Sequence, residues 1–303
     1  MRFLVTGGAG FIGSNVVEIL EDKGAQTVIL DNFSHASYKN LLSVKGEVIC
    51  GDILDEKIFD KLPKVDGVIH EAAITDTTLK DDAKMMAVNF NGFKNVLDFC
   101  LRKNIKLVYA SSAGVYGEGP SPMKEEQDKI PHNTYAYSKY LCDCLAQKVR
   151  SKKGSPLIVG LRYFNVYGPS EYHKGISASM IYQLYLQMMQ GRQPRVFKYG
   201  EQKRDFIYVK DVARLTVEAL QLKGSTIVNL GTGQARSFND IIAALNSALK
   251  LDLKPEYFNN PYEGNYQDYT EADTGHLRST FGAGAQFSLE EGISDYVSNY
   301  LSV

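Results

Sequence analysis

Near the start of the chain, Thr6-Gly-Gly-Ala-Gly-Phe-Ile-Gly13 joins a short apolar run, FLVT, to an amphipathic stretch from Phe11 to Lys23. Gly8, Gly10 and Gly13 have the spacing G-x-G-x-x-G. Glycines so placed let the backbone turn tightly and approach a pyrophosphate, whose charge then rests on amides at the positive end of the following helix. An isolated match is an ordinary tight turn; the passage from strand to helix makes this one specific.

The same passage repeats along the chain. FLVT, TVILD, EVICGD, GVIHEAA, KLVYASS and LIVGLRYFN are short apolar runs. Helical patterns lie between them, at Phe11 to Lys23, around Met85 to Lys103 and from about Thr134 to Lys153. Strand and helix in alternation predict an α/β fold, a doubly wound parallel sheet covered on both faces. After Asn165 the rhythm changes. A polar stretch precedes a helix near Ser177 to Gln190, then come PRVFKYG, FIYVKDV, TIVNLG, a helix over Phe238 to Leu249, a tail from Lys254 to Tyr269 without clean periodicity, and an amphipathic helix over Leu289 to Leu301. The expected division is a dinucleotide-binding domain over 1–165, with return segments near 205–235, and a smaller C-terminal α/β substrate-binding lobe over 166–204 and 236–303. Without repeats or a flexible linker, the two share a cleft.

Asp31 closes the second run, 18 positions after Gly13, where a carboxylate accepts hydrogen bonds from an adenosine ribose. This favours NAD over NADP. A 2′-phosphate adds about 1.5 to 2 negative charges, and like charges about 4 Å apart repel by roughly 4 kcal/mol at an effective dielectric of about 20. His35 and Lys39 follow closely and offer compensating charge, or else form a solvated loop.

Tyr135-Ala-Tyr-Ser-Lys139 puts a phenol and an ammonium at i and i+4, on one face of a helix. A phenol titrates near 10 and is a poor base at neutral pH; a nearby lysine and a cationic nicotinamide favour the phenolate. A shift to about 7 needs roughly 4 kcal/mol, within reach of two cations. Ser111 and Ser112 end the strand KLVYASS at the carboxyl edge, where doubly wound sheets hold ligands, and a hydroxyl there can hold a substrate oxygen beside the tyrosine.

Bulk properties exclude other classes. Lysine and arginine number 34 against 35 aspartates and glutamates, so neither nucleic acid nor an anionic membrane is an expected partner. The first residues lack the apolar core of a secretory signal, and no run of about 18 apolar residues occurs. Cys50, Cys100, Cys142 and Cys144 have neither disulfide nor zinc spacing, which points to reduced thiols in a cytoplasmic protein. His70, His132, His173 and His276 are not metal-spaced, and no metal is expected.

HEAAITDTT at 70–78, YASSAGVYG at 109–117, LRYFNVYGP at 161–169, EYHKGISASM at 171–180, KRDFIYVKDV at 203–212 and YQDYTEAD at 266–273 complete a pattern. Together with the glycine loop it resembles the extended short-chain dehydrogenase/reductase (NAD-dependent epimerase/dehydratase) family, of Rossmann fold, and within it the ADP-heptose 6-epimerases. That resemblance implies an isomerase that inverts C6 of ADP-D-glycero-D-manno-heptose by transient oxidation and re-reduction with bound NADP, in lipopolysaccharide core biosynthesis, as a homo-oligomer. It implies that Tyr135 and Lys174 are acid/base groups on opposite sides of the sugar, supported by Ser112 and Lys139.

By the same resemblance the cofactor is held by Gly7, Gly10, Phe11, Ile12, Gly13, Asp31, Asn32, Lys39, Asp52, Ile53, Glu71, Ala72, Ala73, Thr75, Asn89 and Val166 with Tyr135 and Lys139. The nucleotide sugar is held by Ser111, Asn165, Lys174, Ser177, Phe197, Gly200, Arg204 and Tyr266. Arg204 either binds a pyrophosphate bidentately or pairs with Asp205 or Glu201. Ile176 and Gln183 depart from the family, which has serine or threonine, and histidine, at those points. A UDP-hexose 4-epimerase using NAD would share Ser112, Tyr135 and Lys139 but not need Lys174. A 4,6-dehydratase would carry an acid and a base where SSAGVYG has none, and a non-catalytic dinucleotide sensor would need no Tyr135/Lys139 pair.

Overall fold

A computed structural model describes residues 1–259 and 269–301. The strands are β1 (Arg2–Thr6), β2 (Gln26–Asp31), β3 (Glu47–Cys50), β4 (Gly67–His70), β5 (Lys106–Ser112), β6 (Ile158–Tyr163), β7 (Asn165–Tyr167), β8 (Arg195–Phe197), β9 (Lys203–Tyr208), β10 (Thr226–Leu230), β11 (Ala235–Ser237) and β12 (Glu256–Phe258). The helices are α1 (Phe11–Asp22), α2 (Asp82–Met86), α3 (Gly92–Lys103), α4 (Thr134–Arg150), α5 (Met180–Met189), α6 (Val209–Ala219), α7 (Phe238–Leu249), α8 (Gly275–Phe281) and α9 (Leu289–Tyr296).

Seven strands form one sheet in the order β10-β6-β5-β4-β1-β2-β3, and every pairing in it is parallel. The Val, Ile and Leu runs are explained by burial on both faces: Val68, Ile69, Val108, Val159 and Leu161 are wholly buried. Replacing one such leucine by alanine would cost about 2–5 kcal/mol. Under the sheet, Arg162 Nε meets Asp143 at 2.8 Å with both side chains 2% exposed; loss of either partner would strand a buried charge at a cost of about 3–5 kcal/mol.

From β1 the chain moves one way to β2 and β3, then returns to β4 on the other side of β1. Such a reversal opens a crevice at the carboxyl ends of the strands. Register sets its floor. Thr6 lies beside both Leu30 and His70, so the glycine loop, Asp31 and Glu71 leave the sheet at one level. His70 lies beside Tyr109, and Ser112 beside Tyr163, so β5 carries Ser111 and Ser112 past that level.

Several boundaries differ from expectation. The expected helix around Met85 to Lys103 is α2 and α3 joined by a wide π turn over Ala87–Asn91. Helix α4 stops at Arg150, and the residues toward Gly154 (φ 86°) form turns instead. Helix α5 starts at Met180, capped by the Ser179 hydroxyl, because Tyr172–Ser177 forms a separate short 3-10 turn broken at Gly175 (φ 55°). TIVNL is the outer strand of the large sheet, and the tail contains β12, which pairs with β8. Strand β9 joins β7 and β11 in a small sheet, α6 packs on α1, and α8 packs on β10 and α6. All four cysteines are free, and among the described residues no helix is long and apolar enough to cross a membrane.

Candidate active site

A cavity of about 1120 Å³ opens at the crevice. Pockets for a single drug-sized ligand run to roughly 300–1,000 Å³, so this cleft is large enough for a ligand bigger than that. The glycine loop forms its floor. Gly7 has φ 69° and a Cβ there would stand 2.6 Å from Ala72 N; a Cβ on Gly13 would stand 2.2 Å from Gly7 O. Helix α1 opens at Phe11 with Gly10 as its cap and no side-chain acceptor for its first amides, the arrangement that receives a phosphate. Glycine at these positions lets the loop pack this closely on itself and on the residues after β4, and the uncapped amides it presents fit a dinucleotide pyrophosphate.

Asp31 stands beside it. Its Oδ2 accepts from Ala9 N at 3.0 Å and its Oδ1 from Phe33 N at 2.8 Å. Burial raises its pKa, against those amides and the charge of His173. Asn32 donates to Asp52 Oδ2 at 3.0 Å, linking the ends of β2 and β3.

Tyr135 and Lys139 project from the first turns of α4, whose cap is Asn133, accepting from Ala136 N. Lys139, 3% exposed, donates to Ala110 O at 2.8 Å. Ser112 accepts from Gly114 N at 3.1 Å, which leaves its hydroxyl proton for a ligand. Ser111 Oγ is buried with no partner among the described residues, a condition a buried hydroxyl rarely tolerates without a ligand or water.

A second wall comes from the turn after β7. Lys174 Nζ lies 5.4 Å from the Phe11 ring centroid. Burial lowers its pKa, and Glu171 opposes that shift. Glu171 is itself fully buried and accepts from Gly168 N at 3.1 Å, Ser179 N at 2.6 Å and Ser179 Oγ at 2.8 Å. His173 is pushed down, first by burial and then by Lys174. Arg204, 6% exposed, reaches the cleft from β9 and donates to Lys203 O at 2.9 Å. Asp205 is not its partner, since its carboxylate accepts from Thr232 N, Thr232 Oγ1, Gly233 N and Ala272 N.

The cleft wall thus brings together Tyr135, Lys139, Lys174 and Ser112, with Ser111, Asn165, Ser177 and Arg204. It also brings together Gly7, Gly10, Phe11, Ile12, Gly13, Asp31, Asn32, Asp52, Ile53, Glu71, Ala72, Ala73, Thr75 and Val166. Four expected residues lie off it. Lys39 is exposed in the short turn Tyr38–Leu41. Asn89 is 1% exposed in the π turn, where it clamps Ile74 by both its amide groups and donates to Ser138 Oγ; it braces the cleft-lining stretch from behind. Phe197 faces Phe258, ring centroids 4.5 Å apart, and Gly200, at φ 69°, backs onto Asn239. Tyr266 lies outside the described residues, as do the first three residues of YQDYTEAD.

Sequence reasoning missed Tyr163 and Glu171. Tyr163 donates to Glu71 Oε1 at 2.7 Å and lines the cleft. Its signal was a tyrosine at the carboxyl end of an apolar strand; that of Glu171 was an acid three residues before a lysine. The histidines are structural in part: His70 shares a 2.7 Å hydrogen bond with Thr6 Oγ1 and has its pKa lowered to about 3 by burial, and His132 Nε2 accepts from Glu118 N. No cluster of three metal-ligating side chains occurs among the described residues.

Comparison with known proteins agrees with this geometry. The family model of the NAD dependent epimerase/dehydratase family matches residues 3–231. The crystal structure of Helicobacter pylori ADP-L-glycero-D-manno-heptose-6-epimerase is similar at 36% identity, covering 100% of this chain and 96% of that one, with a TM-score of 0.92. A UDP-glucose 4-epimerase of Thermotoga maritima, with UDP-glucose, is 28% identical over 100% of this chain and 99% of that one, with a TM-score of 0.92. The Thermus thermophilus UDP-glucose 4-epimerase, a complex with NAD, is 28% identical over 99% of both chains, with a TM-score of 0.87. With a parallel seven-stranded sheet, a glycine cradle and a full-length match to such structures, the chain belongs to the NAD dependent epimerase/dehydratase family.

Proposed function

We propose that this chain epimerises a nucleotide sugar, ADP-D-glycero-D-manno-heptose at C6, by removing hydride from one carbinol carbon and returning it to the opposite face. The observation that carries this reading is a pair of proton-handling groups on different walls of one cleft: Tyr135 with Lys139 on α4, and Lys174 with Glu171 on the turn after β7. A carbinol that loses hydride must also lose its hydroxyl proton, and after the carbonyl turns over, its oxygen lies toward the other wall. Tyr135 and Ser112 serve the first position, Lys174 the second, and Arg204 suits the pyrophosphate. The segments 166–204 and 236–303 act as the substrate-facing lobe. The 36% identity to the heptose epimerase supports the choice of sugar.

The bound dinucleotide supplies the hydride acceptor and donor. Residues of the glycine loop would hold its pyrophosphate and Asp31 its adenosine ribose. We propose NAD where the resemblance implied NADP, because the Asp31 carboxylate is fixed on the cleft wall and, of the two side chains that could offset a 2′-phosphate, His35 lines the cleft but the lysine, Lys39, lies off it. Titration with each dinucleotide tests this; tighter binding of NADP would reverse the choice.

A UDP-hexose 4-epimerase is the second reading, favoured by one feature. Gln183 Nε2 donates to Ile176 O and Ala178 O, which uses both its amide protons, and Ile176 is apolar, so the two departures from the heptose branch offer the sugar no side-chain donor. Incubation of the purified protein with ADP-D-glycero-D-manno-heptose, and separately with UDP-glucose, followed by NMR, separates the two. Appearance of the L-glycero epimer supports the first reading; UDP-galactose alone would replace it with the second.

A further inference from the structure

Glu71 follows β4 at the floor of the cleft and is only half-buried, open to it. Its amide donates to Thr6 O at 3.0 Å, which fixes its backbone beside the glycine loop. Its Oε1 accepts from Tyr163 Oη at 2.7 Å, and Tyr163 Oη meets Thr216 Oγ1 at 2.9 Å. The chain runs from the cleft through β6 into α6. Among the described residues, Glu71 Oε2 has no hydrogen-bond donor. A carboxyl oriented by one hydroxyl, itself braced by a second, with one oxygen left over on a ligand-binding wall, is built to face a ligand.

The charges around it narrow what that is. From α4 it feels Lys139, whose own hydrogen bond goes to Ala110 O. From β6 it meets the neutral Tyr163 phenol, pushed well above its ordinary value by burial. His70, on its own strand, is held uncharged by burial, and α6 presents Thr216, which carries no charge. Desolvation by these walls raises the Glu71 carboxyl to about 7, against the Tyr163 hydrogen bond and Lys139. Asp31, by contrast, answers to His173 at the adenosine end of the same cleft. Tyr163, the donor to Glu71, lies beside Ser112 in the sheet, so Glu71 belongs to the end of the cleft lined by Ser112, Tyr135 and Lys139, and there a bound nicotinamide would be cationic when oxidised and neutral when reduced.

We propose that Glu71 is the charge partner of the oxidised nicotinamide: its carboxylate, oriented by Tyr163, favours the cationic dinucleotide over the neutral reduced one. This rests on the reading of the cleft as a nicotinamide site. The preference suits an epimerase, since an enzyme that keeps hydride and loses a ketone product stops after one turnover. It acts by electrostatics on the position of an equilibrium and takes no part in proton transfer; Tyr163, which orients it, is the positioning residue.

The test measures Kd for NAD+ and NADH, on the whole protein, from about pH 6 to about pH 9, which spans the Glu71 value. In the unaltered protein the ratio of the NADH Kd to the NAD+ Kd rises with pH by about tenfold, a usual scale for coupling between charged sites. In Glu71→Gln the ratio is flat and lower at alkaline pH. An identical ratio and pH slope in Glu71→Gln overturns the proposal. Where Glu71→Gln fails to fold, Tyr163→Phe serves: it keeps the carboxyl but removes its donor, so the midpoint moves to higher pH, and an unmoved midpoint overturns the proposal. If the unaltered protein binds neither dinucleotide, the nicotinamide reading itself fails, and the Glu71 role falls with it.

Discussion

Lys139 and Lys174 are two lysines drawn into one cleft by opposite means. Lys139 sits on a 17-residue helix and donates to a carbonyl of the central sheet; its position is set by that helix and that sheet. Lys174 sits in a six-residue turn broken by Gly175, lies against a ring face and feels the charge of the buried Glu171 carboxylate. A lysine tied to a carbonyl is positioned, whereas one held by charge and a π face keeps freedom to take up and release a proton. On this comparison the α4 wall supplies fixed geometry, and the wall after β7 supplies a tunable acid/base group.

The largest effect expected is from Tyr135→Phe, which removes the phenolic oxygen that the fixed wall places in the cleft. A general acid/base residue contributes about 10²- to 10⁴-fold, so kcat falls by that amount while dinucleotide affinity, measured by titration, changes little. Retention of full activity would remove the α4 wall from the chemistry. Next in size is Lys174→Met, which keeps the apolar stem and removes the ammonium. A kcat loss of about 10²-fold is expected with the heptose substrate. Activity equal to the unaltered protein would break the comparison and leave one proton-handling wall, as in the hexose epimerase reading.

Glu171→Gln sharpens the same comparison by tuning instead of deleting. Burial lowers the Lys174 pKa and the Glu171 charge raises it; without that charge the value falls further. Whether turnover needs Lys174 neutral or protonated, the limb of the pH–rate profile that it governs moves to lower pH. The displacement expected is about one unit, or 1.36 kcal/mol, with a smaller change in maximal kcat. A limb that stays in place assigns it to another group.

The two walls were unequally legible. The glycine loop, Asp31, Ser112 and the Tyr135/Lys139 pair each depend on spacing within one strand–loop–helix passage, and local spacing survives in sequence. The wall after β7 depends on contacts between distant segments. Glu171 matters to Lys174 because Gly168 and Ser179 wrap it, and Phe11 reaches Lys174 from 163 positions away. Lys174 itself was found only by resemblance. Asn89 entered only by resemblance, and no periodic pattern announces the π turn within a helix in which its amide turns inward to Ile74. Phe197 was drawn off the cleft by pairing of β8 with β12, a strand that the tail's composition did not signal.

The finest test concerns what else holds Lys174. The Phe11 ring, 5.4 Å from Nζ, presents a face that attracts a cation by about 0.5–1 kcal/mol at an accessible site. Phe11→Leu removes that attraction while keeping an apolar side chain at the start of α1, where Phe11 is buried in the core. The ammonium is then less favoured, so the Lys174 limb again moves to lower pH, by less than one unit at about 1.36 kcal/mol per unit. The comparison predicts an order: the Glu171→Gln displacement exceeds that of Phe11→Leu, because a unit charge outweighs a ring quadrupole in a desolvated site. pH–rate profiles of the two variants, taken with the same substrate, settle the order. A larger displacement for Phe11→Leu would mean that the glycine-loop wall, through its first helical side chain, governs the proton affinity of the wall facing it.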